Sequence, residues 1–362
     1  MELKIFSFFS GLGLLDLGFE ENDYTILEVF EFYKPFLEAY KYAREDMNFK
    51  EPKYGYSQKD ISELNKDKNF ENKVLLEKEE GTLGFIGGPP CPDFSIAGKN
   101  RGSEGINGRL TTDYFELIKR NHPHFFLFEN VKGIWSTKRH KEYIRKKISE
   151  MENEGYLISY GILNSIDYGA PQNRERFFII GVDSEKSTEL GIYNHFNMLE
   201  ESLFTTDLDV AQYNWPELNI FAQESNLEPN TNILEEITVE SWFRKNDVYD
   251  HYNSLDFFQP KSLEKFNTID EGDVSRKSFK RLHRWRYAPT AAYGNNEVHL
   301  HPYLPRRISV AEALAIQSAP KEFKVKKELS MTDKFKCVGN AVPFLLSSHI
   351  AKTIREYLEG RF

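Results

Sequence analysis

An α/β fold, a doubly wound sheet with helices on both faces followed by a smaller irregular domain, is what this sequence predicts. Three observations predict it. Strand-like runs alternate with helical patterns of about ten residues through residues 1–182. The rhythm breaks at Asp183, and up to Tyr303 the chain is aromatic-rich and turn-laden, with no helix pattern of any length. Helical periodicity then returns over 304–362. The expected organisation is therefore a first domain over 1–182, a second over 183–303, and a C-terminal segment, 304–362, that rejoins the first.

The elements are expected in this order. Lys4–Phe8 reads as a strand, Leu14–Glu20 opens a helix, and Tyr24–Phe30 is a second strand before a helix at Lys34–Arg44. Thr82–Ile86 is a buried strand running into Gly87-Gly88-Pro89-Pro90. Thr112–Asn121 is helical, with Tyr114, Leu117 and Ile118 on one face; His124–Phe128 is a strand and Lys141–Met151 a helix. Tyr156–Leu163 and Arg176–Val182 close the series. Near the end, Ser309 and Glu312 have capping-box spacing. Pro343 suits the first turn of a helix to Leu358, with Gly360 as its stop.

Composition narrows the class. Of 362 residues, 40% are hydrophobic and 28% charged, which excludes a disordered or collagen-like chain. Two cysteines cannot build a disulfide framework, and no apolar run approaches membrane-spanning length. The N-terminus runs straight into a strand without a basic region or cleavable apolar stretch, so a soluble, cytoplasmic protein is expected. Nine histidines and two cysteines show no ligand spacing, and no metal is expected. The net charge of −9 argues against a generic nucleic-acid binder. It hides a gradient: Glu201–Asp250 holds 11 acidic residues against two basic ones, whereas Arg276–Arg286 holds six basic residues and no acidic one. That stripe is either a polyanion-facing surface or a solvated basic face.

Four motifs carry chemistry. Phe9-Ser10-Gly11-Leu12-Gly13 follows the opening strand, where glycines let the backbone approach a nucleotide-like ligand; Asp16 breaks the dinucleotide fingerprint, so the alternative is a plain tight turn. Glu31, at the end of the second strand, is placed to hold ribose hydroxyls. Cys91, in Gly87-Gly88-Pro89-Pro90-Cys91-Pro92, sits on a rigid turn at a sheet edge, where a nucleophile is expected if its surroundings lower its pKa; Cys337 reads as a small buried hydrophobe. Glu129 follows an apolar strand, where burial raises a carboxyl pKa towards proton donation; a helix cap or structural ion pair is the alternative. Arg174 and Arg176, two apart in an extended segment, share a side and suit an anion or a carbonyl oxygen.

The order of these motifs resembles the DNA cytosine-5 methyltransferases, most closely the bacterial modification enzymes. The resemblance rests on Phe9–Gly13, Asp60-Ile61, Pro90-Cys91, Glu129-Asn130-Val131, Asp167-Tyr168-Gly169 with Gln172–Arg176, Arg306–Gln317 and Gly339-Asn340-Ala341-Val342-Pro343, and spans residues 4–357 with a gap over the middle. It implies a Rossmann-like sheet binding S-adenosyl-L-methionine, a target-recognition domain at 183–303, and methyl transfer to carbon 5 of a cytosine flipped out of a specific double-stranded DNA sequence. By position, Cys91 is then the nucleophile, Glu129 and Arg176 the groups that hold the ring, and Arg174 their support. Phe9, Gly11, Leu12, Gly13, Glu31, Asp60, Ile61, Pro90, Asn340 and Val342 become cofactor contacts. Ser95 becomes a phosphate contact, in a glycine-rich lid over Pro92–Gly108. Arg281, Arg284 and Arg286, with Tyr293-Gly294-Asn295-Asn296 after them, are expected to face DNA.

The resemblance also allows a cognate restriction endonuclease acting on the same site, and a nucleoid-associated monomer. Leu14, Pro92 and Thr111-Thr112-Asp113 depart from the family pattern without removing a reacting group. An amino-methyltransferase, which needs no cysteine, a tRNA-methylating relative, a non-enzymatic DNA-binding protein and a nicotinamide oxidoreductase are the alternatives. Cys91 after Pro89-Pro90 weighs against the first, the lack of a Cys-Phe-Thr tripeptide against the second, intact Cys91, Glu129, Arg174 and Arg176 against the third, and Asp16 in the turn against the fourth.

Overall fold

The computed structural model describes residues 2–90, 106–191, 209–221, 232–260, 262–276, 278–291, 293 and 297–361. Its strands are β1 (Leu3–Phe8), β2 (Tyr24–Phe30), β3 (Tyr56–Ser57), β4 (Thr82–Gly87), β5 (Phe125–Val131), β6 (Tyr156–Asn164) and β7 (Glu175–Asp183). They form one sheet in the order β3-β2-β1-β4-β5-β7-β6. β7 runs antiparallel to both β5 and β6, while the pairs from β3 through β5 are parallel.

The α-helices are α1 (Leu14–Glu20), α2 (Lys34–Asp46), α3 (Ile61–Leu64), α4 (Lys68–Glu80), α5 (Ile106–Asn121), α6 (Gly133–Ser136), α7 (Lys138–Asn153), α8 (Ser184–Glu189), α9 (Val239–Lys245), α10 (Glu264–Asn267), α11 (Val310–Ile316), α12 (Met331–Asn340) and α13 (Phe344–Leu358).

Strand alternation divides the core. Ile5, Ile26, Ile86, Leu127 and Ile180 pack on one face with Phe19 of α1 and Leu346, Ile350 and Ile354 of α13. Phe6, Leu27, Phe85, Phe128 and Ile179 pack on the other with Phe70 of α4, Phe115 of α5 and Ile144 of α7. Burial on both faces is why these strands are rich in apolar residues on both of their sides. α1 and α13 touch so closely that a Cβ on Gly18 would lie 2.3 Å from Ser347 Oγ. A third cluster joins Leu12 and, in α1, Leu17 to Trp242 of α9, Leu282, Ala291 and Tyr293, and to Leu314 and Val338 of α11 and α12.

Several boundaries differ from expectation. β5 continues through Glu129-Asn130-Val131, because β7 pairs with it as far as Val131–Arg176. α4 was not expected: its buried positions are Phe70, Val74 and the polar Glu77, while Leu75 and Leu76 are exposed, so its apolar period is blurred. α5 begins at Ile106, six positions before the expected Thr112. α12 was also missed, and the irregular region does contain short helices, of which α9 spans seven residues. The capping box at Ser309–Glu312 forms, with Ser309 N donating to Glu312 Oε2 at 2.7 Å. Pro343 caps α13 from just outside it, and Gly360 follows with φ +64°. No helix among the described residues is long and apolar enough to cross a membrane.

Candidate active site

β1, β2, β4 and β5 end at one edge of the sheet, and antiparallel β7 begins there. Parallel strands with helical crossovers leave a crevice at this carboxyl edge. Here it is a cleft of about 1040 Å³, at the upper end of the ~300–1,000 Å³ usual for small-molecule sites. Every expected cofactor and catalytic residue among the described ones lines it. Cys91 and Ser95, and most of the expected lid, lie outside the described residues.

The turn after β1 is built from three left-handed residues: Phe9 (φ +54°), Gly11 (φ +56°) and Gly13 (φ +84°). Such a conformation strains a phenylalanine and marks a backbone held for a purpose. Gly13 also has to be glycine for space, since a Cβ would lie 2.5 Å from the Tyr40 ring. Gly11 is open: a Cβ there would find only Phe9 O within 4 Å, which leaves room for a ligand. Beneath the turn lies Asp16, fully buried, accepting from Ser7 Oγ at 2.8 Å and Tyr40 OH at 3.0 Å. Arg44 Nη2 donates to Gly13 O at 2.7 Å and its Nε to Glu20 at 2.7 Å. Burial lifts the Asp16 pKa to about 6 and the Glu20 pKa to about 7, against the pull of Arg44. The acid that breaks the dinucleotide fingerprint thus anchors the turn from below.

Glu31 accepts from Gly11 N at 2.9 Å and Tyr33 N at 2.8 Å, and burial raises its pKa. Its carboxylate is fixed in direction, with lone pairs left for hydroxyl donors. Phe32, 68% exposed, lines the cleft directly after it and was missed from sequence. An aromatic ring exposed beside a fixed carboxylate is the available signal, and it offers a stacking face for a base. Asp60 caps α3 through Ser62 N (2.8 Å), and Ile61 is buried behind it. Asn340 and Val342 close the far wall from the end of α12.

Glu129 and Arg176 meet because of register. Arg176 stands opposite Val131, so Glu129, two residues back on the same side, is its diagonal neighbour; Arg176 Nε lies 3.1 Å from Glu129 Oε1. Burial raises the Glu129 pKa, with Arg176 and then Arg174 opposing. A Cβ on Gly88 would lie 2.6 Å from Glu129 Oε2, so only glycine lets the carboxylate approach that turn. Asn130, 1% exposed, donates to Pro89 O at 3.3 Å and ties β5 to the Pro-Pro turn.

Arg174 behaves differently from Arg176. Its Nη1 donates to Ala291 O at 2.8 Å and its Nη2 to Gly339 O at 2.7 Å, so it clamps the backbone at Ala291 to α12. Burial, then Arg176, lowers its pKa well below the usual arginine range. Gln172, fully buried, completes this joint by donating to Ile316 O (3.1 Å) and accepting from Ala291 N (2.8 Å). Cys337 is buried, and its thiol pKa is pushed up by burial, as a packing residue's should be.

Two of the three arginines expected to face DNA are interior. Arg281, 0% exposed, donates to Phe266 O, Ile269 O, His301 O and Leu304 O; burial pulls its pKa down to about 10. Arg284 forms a two-pronged bond to buried Glu271, both distances 2.9 Å. Cationic stripes read from sequence say nothing of direction, and in a small domain guanidiniums serve as multi-donor cores. Arg286 is half-buried with its guanidinium 5.4 Å from the Tyr287 ring centroid. Tyr293 is buried against α12; Gly294-Asn295-Asn296 lie outside the described residues. Arg281→Met is expected to cost about 3–5 kcal/mol, because carbonyls are left unpaired in the interior. Calorimetry should show Tm lower by about 10 °C; an unchanged Tm would return Arg281 to the surface.

The family profile for C-5 cytosine-specific DNA methylases matches residues 3–356. Type II methyltransferase M.NmeDI of Neisseria meningitidis serogroup C is 48% identical over 99% of this chain and 84% of its own length. Type II methyltransferase M.FnuDI of Fusobacterium nucleatum is 30% identical, covering 99% and 96%. The crystal structure of the S. pombe Dnmt2 methyltransferase shares the fold, with TM-score 0.60 at 12% identity and 99% of each chain covered.

Proposed function

The chain belongs to the C-5 cytosine-specific DNA methylases, and on that basis we propose that it methylates carbon 5 of a cytosine extruded from a specific DNA duplex through a covalent Cys91 adduct, marking sites in a restriction-modification system. The observation that carries this reading is the Glu129–Arg176 pair at 3.1 Å on one wall of the cleft, with the turn leading to Cys91 beside it.

The cofactor fits the residues present. Glu31 has acceptors for ribose hydroxyls, exposed Phe32 a face for adenine, and the open side of Gly11 room for the chain between them. S-adenosyl-L-methionine, when bound, supplies an electrophilic methyl group. Phe9, Leu12, Gly13, Asp60, Ile61, Pro90, Asn340 and Val342 complete the walls that hold it.

Extrusion is required because the ring carbons are inaccessible in the stack, at about a few kcal/mol for unstacking. The Cys91 thiolate bonds to carbon 6, and the displaced π electrons load the ring. Glu129 bonds or protonates nitrogen 3, and Arg176 holds the exocyclic oxygen, so the charge opposing attack is neutralised. Arg174 keeps the second domain and α12 in place around them. After carbon 5 is alkylated, a base that we assign to water removes its proton, and the sulfur–carbon bond breaks to free Cys91.

The test is incubation of the full chain with methyl-labelled S-adenosyl-L-methionine and mixed-sequence duplex DNA, followed by bisulfite mapping. Label at cytosine carbon 5 within one short sequence is expected. Label on adenine or an exocyclic nitrogen would overturn the proposal. On the cofactor side, Glu31→Gln is expected to weaken cofactor binding in titration calorimetry by about ten- to a hundredfold, the worth of one charged hydrogen bond. Unchanged affinity would exclude Glu31 from the ribose.

A further inference from the structure

With Arg281 and Arg284 in the interior, the basic stripe still contains one member turned the other way. Lys280 lines the cleft from the second domain. Its direction follows from Arg281: that guanidinium is drawn into the interior by its four carbonyls. The backbone here is extended, with Leu300 N donating to Lys280 O at 2.8 Å and Leu282 N to Leu300 O at 3.1 Å. Successive side chains of an extended segment point to opposite sides, so an inward Arg281 sets Lys280 outward, into the cleft.

Among the described residues, the other cations lining this cleft already have partners. Lys59 pairs with Asp67 at 2.5 Å, Lys132 with Glu175 at 2.7 Å and Arg176 with Glu129 at 3.1 Å, and Arg174 donates to two carbonyls. Lys280 makes no side-chain hydrogen bond or ion pair among the described residues, and it is half-buried. An ammonium held at a cleft wall without a carboxylate is set for an anion from outside, and a compact point charge suits a phosphodiester.

Resting on the proposed DNA substrate, we propose that Lys280 binds a backbone phosphate of the duplex, whatever its sequence, where it lines the cleft. Neutralising one phosphate releases condensed counterions, so this contact has a signature that a structural lysine lacks.

The test compares the wild-type chain with Lys280→Gln and Lys280→Arg on two fluorescein-labelled duplexes, the mapped target and a scrambled sequence, across a salt series. For Lys280→Gln the slope of log K against log salt is expected to fall by about 0.9, so that about three- to fourfold less affinity is lost between roughly 50 and 200 mM salt. Both duplexes should be affected alike, and Lys280→Arg should restore the slope. An unchanged slope overturns the proposal. So does a loss confined to the target duplex, which would mean base reading, or weaker S-adenosyl-L-methionine binding in calorimetry, which would place the ammonium on the cofactor. A wild-type chain that binds neither duplex would overturn the DNA reading itself; wild-type binding with an unaltered variant slope overturns only Lys280.

Discussion

Cys91→Ser is expected to abolish methyl transfer, by a factor on the order of 10⁴ or more, while duplex and cofactor binding persist. The reason is electronic. A cytosine ring accepts a nucleophile at carbon 6 only from a group that is both anionic and polarizable near neutral pH. A thiolate meets that condition at a pKa of about 8.5 or lower, and a serine hydroxyl does not. The Pro89-Pro90 turn that precedes Cys91 is tied to β5 by Asn130, so the substitution leaves the cleft walls in place. The direct readout is a duplex carrying 5-fluorocytosine at the target, which has no removable proton at carbon 5. Wild-type protein should give a denaturation-resistant complex with it, and Cys91→Ser none. A variant that retained more than a few per cent of wild-type transfer would end the covalent route.

Glu129→Gln is expected to lower the single-turnover rate by about 10²–10⁴, the usual worth of a positioned general acid. Burial raises the Glu129 pKa, so at a given pH more of it carries the proton that nitrogen 3 needs. The sign is therefore definite: the wild-type rate should fall as pH rises through that pKa, because the protonated form is lost. Glutamine donates an N–H at all pH values but transfers no proton, so the variant should lose this alkaline decline along with most of its rate. A variant with the full rate and the same alkaline limb would show that Glu129 is only the structural partner of Arg176. Arg176 makes the comparison sharp, since its bond to residue 129 at 3.1 Å can persist with a glutamine oxygen.

Much of the architecture is legible in the sequence, because it is written in local terms. Strands buried on both faces are mostly apolar, and β1, β2 and β4, whose polar members are Lys4, Ser7, Thr25, Glu28 and Thr82, are legible within a residue of their observed limits. Left-handed backbone favours glycine, so Gly11 and Gly13 announce the turn after β1. The Ser309–Glu312 capping box is complete within four residues. In each case the interactions that decide the outcome lie within a few positions of one another.

The remainder depends on partners far away in the chain, which only folding brings together. β5 extends to Val131 because β7, some 45 residues later, pairs with it, and that register brings Glu129 to Arg176. α4 hides because its third buried position is Glu77, made tolerable by Lys4, Lys53 and Tyr54. A cation in sequence is only a charge. Carbonyls at 266, 269, 301 and 304 turn Arg281 inward, Glu271 takes Arg284, and the alternation of the backbone at Arg281 leaves Lys280, one residue before it, lining the cleft. Periodicity determines which segments form helices and strands, since backbone geometry is local; the direction in which a polar side chain serves is set by whatever the fold brings to meet it.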